Sequence, residues 1–140
     1  MDDGALERVR KLNGSRDNFG RYIGIEYCEV TPDRVRAVVN LTSNHMQVFG
    51  RVHGGVYTSV AEEVASCAGM KWLGAKGTVV GVNNNTDLLR ASRSGTLHAT
   101  CTPVHRGRSQ QLWRVDIIDD EGKQVAVSQV RLANVDPSRQ

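Results

Sequence analysis

Hydrophobic and polar positions divide the 140-residue chain into segments of two different periods. Residues 4 to 13, GALERVRKLN with Gly14 beyond, have the composition of a short helix that a glycine ends. Strands are expected at 21–30 and 33–40. In the second, Val35, Ala37 and Val39 alternate with Arg34, Arg36 and Val38, and Thr31-Pro32-Asp33 supplies the turn between the two. A loop over 42–52 leads to a helix over 55–73. Four β-branched or alternating runs follow, at 78–89, 95–105, 108–119 and 123–134, separated by Ser94-Gly95, Arg106-Gly107 and the Asp119–Gly122 turn. With no linker or repeat in view, the chain reads as an N-terminal helical segment (1–20), one domain (21–136) and a tail (137–140). The four late strands are expected to form an antiparallel meander with the central helix on one face, an α+β plan.

The central helix has an unusual outer side. At about 100° per residue, Val56, Tyr57, Val60, Ala61, Val64, Ala65, Cys67, Ala68 and Trp72 form one broad apolar arc. The opposite arc holds Gly55, Ser59, Glu62, Ser66, Gly69 and Met70, small residues where a solvated face would carry long charged ones, so something packs closely there. Glu62 stands in this surround with Ser66 at i+4 within reach. A carboxylate in a tight surface is costly unless paired or used. Glu63, on the border of the apolar arc, reads as an ordinary capped or solvated helix residue. Before the helix stands Arg51-Val52-His53-Gly54-Gly55. Two glycines at a helix start expose unpaired N–H groups at the positive end of the dipole, a place for a developing oxyanion.

Charge and composition narrow the partner. Arg90, Arg93, Arg106 and Arg108 fall in a stretch with no Asp or Glu, although the net charge is only +3, so a local surface suited to a small polyanion is expected. Only 5% of residues are aromatic and no nucleic-acid motif is present, which argues against nucleic acid as the partner. No apolar run approaches a membrane span, and the N-terminus lacks the order of a signal peptide, so a cytoplasmic protein is expected. Cys28, Cys67 and Cys101 are scattered, which fits a reducing compartment. No His, Cys and carboxylate cluster has metal-ligand spacing, so no metal is expected.

His53-Gly54-Gly55 with Glu62 seven residues on resembles the HGG(x)6(D/E) pattern of hotdog-fold acyl-CoA thioesterases of the phenylacetate-degradation (PaaI) type. The resemblance runs from about Gly24 to Val135 and takes in Val80-Gly81-Val82-Asn83, Leu89-Arg90 with Gly95, and His105-Arg106-Gly107-Arg108-Ser109. Within that family, Glu at the acidic position is similar to the branch of the Arthrobacter 4-hydroxybenzoyl-CoA thioesterase, as are Gln47, six residues before His53, and the hydroxyl of Ser66, where the branch has Thr.

This resemblance implies a curved antiparallel sheet wrapped around one long helix, and hydrolysis of a small, aromatic acyl-CoA to acid and CoA. It implies that Gly54 or Gly55 N–H and the Gln47 amide polarise the thioester carbonyl, that Glu62 attacks it or activates water, that Ser66 orients Glu62 or holds that water, and that His53 fixes the loop. The CoA phosphates are expected at Arg106, Arg108 and Ser109, with Arg90 and Arg93 behind. No cofactor is required beyond the CoA of the substrate. A homodimer, and a dimer of dimers, is implied, with the active site across the interface and residues near Asn83 to Asp87 coming from the other subunit. Met46, Val48, Phe49, Tyr57 and Trp72 are the candidate acyl pocket. A hotdog hydratase or dehydratase, and an acyl-CoA sensor without turnover, are the alternatives. The first generally needs an Asp–His pair, and the second a lost carboxylate or a DNA-binding appendage.

Overall fold

A computed structural model describes residues 3–14 and 18–139. Residues 1, 2 and 15–17 of the N-terminal segment and residue 140 of the tail lie outside the described residues. The elements are α1 (Asp3–Gly14), α2 (Phe19–Tyr22), β1 (Ile25–Val30), β2 (Val35–Asn40), α3 (Gly54–Leu73), β3 (Thr78–Leu88), β4 (Thr96–Arg106), β5 (Gln110–Ile118) and β6 (Gln124–Val135). The first expected strand begins four residues late. Asn18 accepts a hydrogen bond from Arg21 N–H at 2.9 Å and caps a helical turn over its opening residues.

All six strands lie in one antiparallel sheet, in the order β1-β2-β4-β5-β6-β3. The expected meander therefore holds only for β4, β5 and β6, and β3 pairs with β6 at the sheet edge instead of with β4. The local cause is visible where α3 ends. Gly74 takes a positive φ of 61°, and Gly77 presses so close to Val135 O that a Cβ there would stand 2.4 Å from it. This turn lays Thr78 against Val135 and starts β3 along β6. The far side of the sheet is already occupied, because β2 pairs with β4.

The long helix α3 lies on the concave face. Val60, Ala61, Val64, Ala65 and Ala68 are fully buried against Val35, Val39, Cys101, Trp113, Val115, Ile117, Val130 and Leu132. The β2 alternation follows the expectation, with Val35, Ala37 and Val39 inward and Arg34, Arg36 outward. This is the hotdog arrangement. One polar side chain, Gln111, sits fully buried on the same inner face. It accepts from Trp113 Nε1 at 2.7 Å and donates to Asn134 Oδ1 at 2.7 Å, so its amide is satisfied at both ends.

The small outer side of α3 is covered partly by the chain's own sheet. Gly69 admits Leu132 and Gln111, whose nearest atoms would stand 2.4 and 2.9 Å from an added Cβ. Gly81 of β3 faces Glu62, and Met70 Sδ accepts from Thr78 and Val79. The close packing expected on this side of α3 is thus supplied in part by β3, β5 and β6 of the same chain. Among the described residues no helix is long and apolar enough to cross a membrane. Cys28, Cys67 and Cys101 are free thiols.

Candidate active site

The loop before α3 is built to hold a helix N-terminus open. Met46 and Val52 form a bridge, Gln47 N–H donates to Arg51 O at 2.7 Å, and Gly50 turns the tip at φ 76°. Val52 N–H reaches Ser92 O at 2.9 Å, and His53 N–H reaches His45 O at 2.9 Å, tying the loop to both flanks. His45 is itself buried and fixed. Its Nδ1 accepts from Thr42 N–H at 2.9 Å, so Nε2 carries the proton and donates to Ile23 O at 2.7 Å.

His53 is the N-cap of α3, and its Nδ1 accepts from Gly55 N–H at 2.9 Å. That bond uses the Gly55 donor. Gly54, as the first residue of the helix, has no carbonyl one turn back to bond. The two glycines thus differ: Gly55 makes room for the His53 ring, 3.0 Å from where its Cβ would be, and Gly54 presents the open N–H. Gly54 is also where Leu88 approaches, at 2.7 Å from an added Cβ.

A cavity of about 340 Å³ opens at this end of the helix, lined by Gln47, Arg51, Gly54, Tyr57, Leu88 and Arg90 among others. Gln47 Oε1 accepts from Phe49 N–H, which leaves the two donors of its amide nitrogen for the cavity. The Tyr57 hydroxyl is buried here with no hydrogen-bond partner among the described residues. A carbonyl oxygen entering the cavity would meet the Gly54 N–H, the Gln47 amide and the positive end of the α3 dipole.

Glu62 lies outside this cavity. It is half-buried against β3, where its Oε1 occupies the space a side chain at residue 81 would need. Asn84 Nδ2 donates to Glu62 Oε2 at 3.0 Å and to Thr58 O at 3.1 Å. Ser66, though one turn on, makes no hydrogen bond to Glu62.

A thioesterase superfamily model matches residues 49–126, more than half of the chain, from the loop tip through β5 into β6. The chain belongs to the thioesterase superfamily. It is a thioester hydrolase. A candidate esterase of Mycobacterium tuberculosis is 46% identical over 84% of this chain and 86% of that protein. Its solved structure superposes with a TM-score of 0.83, covering 84% and 96% of the two chains. A solved thioesterase of Haemophilus influenzae is 35% identical, with a TM-score of 0.86 over 94% of this chain and 90% of that one. The 1,4-dihydroxy-2-naphthoyl-CoA hydrolase of Escherichia coli is 29% identical over 83% of this chain and 85% of its own length.

Measured against the sequence expectations, the thioesterase brings Gln47, Gly54 and Arg90 to one cavity. Arg90 and Arg93 also flank a second surface hollow beside Asp119, Asp120 and Glu121. Arg106 already has partners within the chain. Its Nη1 pairs with Asp33 at 2.7 Å and donates to Pro32 O at 3.0 Å, and its guanidinium lies 5.7 Å over the Trp72 ring. Arg108 and Ser109 are exposed on the adjoining turn, which Asn134 holds by its hydrogen bonds to Gly107 O and Arg108 O. Of the candidate acyl-pocket residues, only Tyr57 lines the cavity. Val48 and Phe49 stand 92% and 78% exposed at the loop tip, and Trp72 lies at the other end of α3.

One residue departs from its expected reading. Glu63 is not a bare helix carboxylate: Tyr27 OH donates to its Oε1 at 3.2 Å, and it packs against Gly20. Burial, with the Cys67 and Glu63 charges beside it, pushes the Tyr27 phenol far above its ordinary range, so it stays a donor. Asn83 is exposed on β3, and its neighbour Asn84 is the residue that reaches Glu62 within the chain. The cause is a β-bulge between Gly81 and Asn83. It shifts the face parity by one, so that Gly81 and Asn84 both face α3.

Proposed function

We propose that the protein hydrolyses acyl-CoA thioesters at a site formed between two copies of the chain. The observation that carries this reading is Gly54, the first helical residue with no carbonyl one turn back for its N–H, lining one cavity with Gln47 and Arg90. These donors polarise the thioester carbonyl and stabilise the oxyanion that forms on it. Glu62 supplies the carboxylate, either adding to the carbonyl carbon to give an anhydride that water then opens, or taking a proton from the attacking water. In both routes the C–S bond breaks, CoA leaves as a thiolate that takes up a proton, and the acid keeps one oxygen from water.

Helix geometry supports the two-copy site. Gly54 and Glu62 are eight residues apart, about 12 Å along the axis, too far for both to touch one thioester from a single helix. A two-fold axis perpendicular to α3 sets two helices antiparallel and brings Glu62 of one copy toward Gly54 of the other. The free edge of β3 fits this pairing: it is an 11-residue edge strand with Val80, Val82 and Leu88 about half exposed. We assign the CoA phosphates to Arg90, with Arg93, Arg108 and Ser109 as further contacts from the two copies. A small aromatic acyl group suits the cavity's Tyr57 and Leu88 walls and resembles the substrate of the Escherichia coli relative. His53, with Nδ1 committed to Gly55 N–H, holds the loop rather than serving as a base, which disfavours a hydratase.

The test is CoA release across a panel of aromatic, branched and straight-chain acyl-CoAs, with Glu62→Gln beside the wild type. Turnover of aryl substrates that falls at least about 10³-fold in the variant, with the fold retained, is expected. A variant that keeps most of its activity would remove Glu62 from the mechanism.

A further inference from the structure

We propose that Asn84, locked by Thr86 and Ser128, is the positioning residue of Glu62. The proposal rests on Glu62 being the catalytic carboxylate. Asn84 Nδ2 donates to Glu62 Oε2 at 3.0 Å and to Thr58 O at 3.1 Å. Thr86 Oγ1 donates to Asn84 Oδ1 at 2.8 Å, and Ser128 Oγ lies 2.8 Å from Thr86 Oγ1. A hydroxyl has one proton, and Thr86 has given its own to Asn84, so Ser128 is the donor to Thr86. Every donor therefore points the same way: Ser128 to Thr86, Thr86 to Asn84, Asn84 to Glu62.

The direction matters because the two ends of an amide have nearly the same shape. Turned over, Asn84 would set its oxygen against the Glu62 carboxylate and the Thr58 carbonyl, three acceptors together. Thr86 resists that flip from the other end, because its hydroxyl donates to Oδ1 and the flipped amide would offer it N–H groups instead. Glu62 then has one oxygen committed to Asn84 and the other, against Gly81, left for chemistry.

The location supports a specific purpose. Thr86 and Ser128 are register partners across β3 and β6, and Ser128 is only 1% exposed. Their neighbours on the inner face, Val130 and Leu132, are apolar and fully buried. Valine or alanine would pack there without the cost of burying hydroxyls, so three successive polar groups ending on a carboxylate need a reason other than packing. Fixing the Glu62 side chain is that reason. The row passes unnoticed in sequence, because the bulge hides which of Asn83 and Asn84 faces the helix.

The experiment compares Asn84→Leu, Thr86→Val, Thr86→Ser and Glu62→Gln, measuring kcat, KM and thermal unfolding with the best acyl-CoA of the panel. Asn84→Leu is expected to lower kcat by 10- to 100-fold with KM within about twofold. Thr86→Val keeps the shape and the strand preference but removes the proton. It should lower kcat about tenfold in a variant that stays folded, with a modest fall in unfolding temperature because buried Ser128 loses its acceptor, and Thr86→Ser should restore the rate. A purely structural role would not give a rate that returns with the hydroxyl alone. If Asn84→Leu does not fold, the Thr86 pair decides. Wild-type kcat in Thr86→Val and in any folded Asn84→Leu, with Glu62→Gln inactive, overturns the positioning role alone. Retained activity in Glu62→Gln overturns the catalytic reading beneath it.

Discussion

Gly81→Ala separates the site from the fold. Gly81 lies outside the left-handed region, so alanine meets no backbone strain, and β3 gains up to about 1 kcal/mol from losing a glycine in a strand. The added Cβ would stand 2.0 Å from Glu62 Oε1 and 3.1 Å from the carboxylate carbon. To reach an ordinary contact the carboxylate must retreat by about 1.5 Å. That movement works against its hydrogen bond, because Oε2 is bound to Asn84 and the stem belongs to α3. Retreat costs the charge-assisted hydrogen bond, about 1.5–3 kcal/mol before solvent screening in this half-buried position, so the net stability change is within about 1 kcal/mol. A displacement of this size at a reacting group costs on the order of 10²-fold in rate. The assay is kcat and KM for CoA release, with a urea unfolding curve on the same preparation. A hundredfold fall in kcat with an unfolding midpoint near that of the wild type is the expected pair. Wild-type kcat would mean that the Glu62 carboxylate works from a different position, and both the Asn84 contact and the Gly81 cradle would lose their meaning.

Other perturbations read other parts of the molecule. Tyr57→Phe removes a buried hydroxyl without a partner and should stabilise the free protein by about 1 kcal/mol, seen as a rise of a few degrees in Tm; a fall would show that the hydroxyl is bonded. In the native protein one thiol, the exposed Cys28, should react fast with Ellman's reagent, and Cys67 and Cys101 only on unfolding; three fast equivalents would contradict the packing. Burial raises the Cys67 thiol from 9.0 to about 11, despite its hydrogen bond with Tyr27, so above pH 9 the folded state holds a proton that the unfolded state loses. Stability from this group is full below pH 9 and is lost as pH rises to about 11, with a slope of at most about 1.4 kcal/mol per pH unit. Urea midpoints between pH 8.5 and 10.5 should fall in the wild type and fall less steeply in Cys67→Ala, where the Cys101 thiol, also raised by burial, still contributes; equal slopes would refute the assignment.

Much of the architecture was readable because it depends on local pattern. The β2 alternation, the apolar arc of α3 and the Gly-rich turns each follow from side-chain period and backbone freedom, and the strands fell within a few residues of their expected places. Strand order was not readable in the same way. Whether β3 joins β4 or β6 depends on where α3 delivers the chain, and that turns on the approach of Gly77 to Val135 O, a contact 58 residues away in sequence. Arg106 illustrates the same limit for charge. Its sequence neighbours are basic, but its partners Asp33 and Trp72 come from a distant turn and a distant helix end, so a free phosphate ligand and a committed ion pair look alike in one dimension.

The HGG-to-Glu spacing shows how a sequence motif can be right in membership and misleading in geometry. Read along the chain, His53, Gly54, Gly55 and Glu62 form one constellation. On a helix rising 1.5 Å per residue they are two places, one at the open N-terminus and one two turns down against β3. Each place is locally complete. The first has its cap in His53, its free donor in Gly54 and its cavity, and the second has its cradle in Gly81 and its lock in Asn84. Neither touches the other within one chain, although the proposed mechanism needs both within about 3 Å of one carbonyl. In the proposed two-copy site this spacing sets the geometry, because the distance from Gly54 to Glu62 along one copy decides how far a second, antiparallel helix must slide to bring its own carboxylate to the first copy's donor.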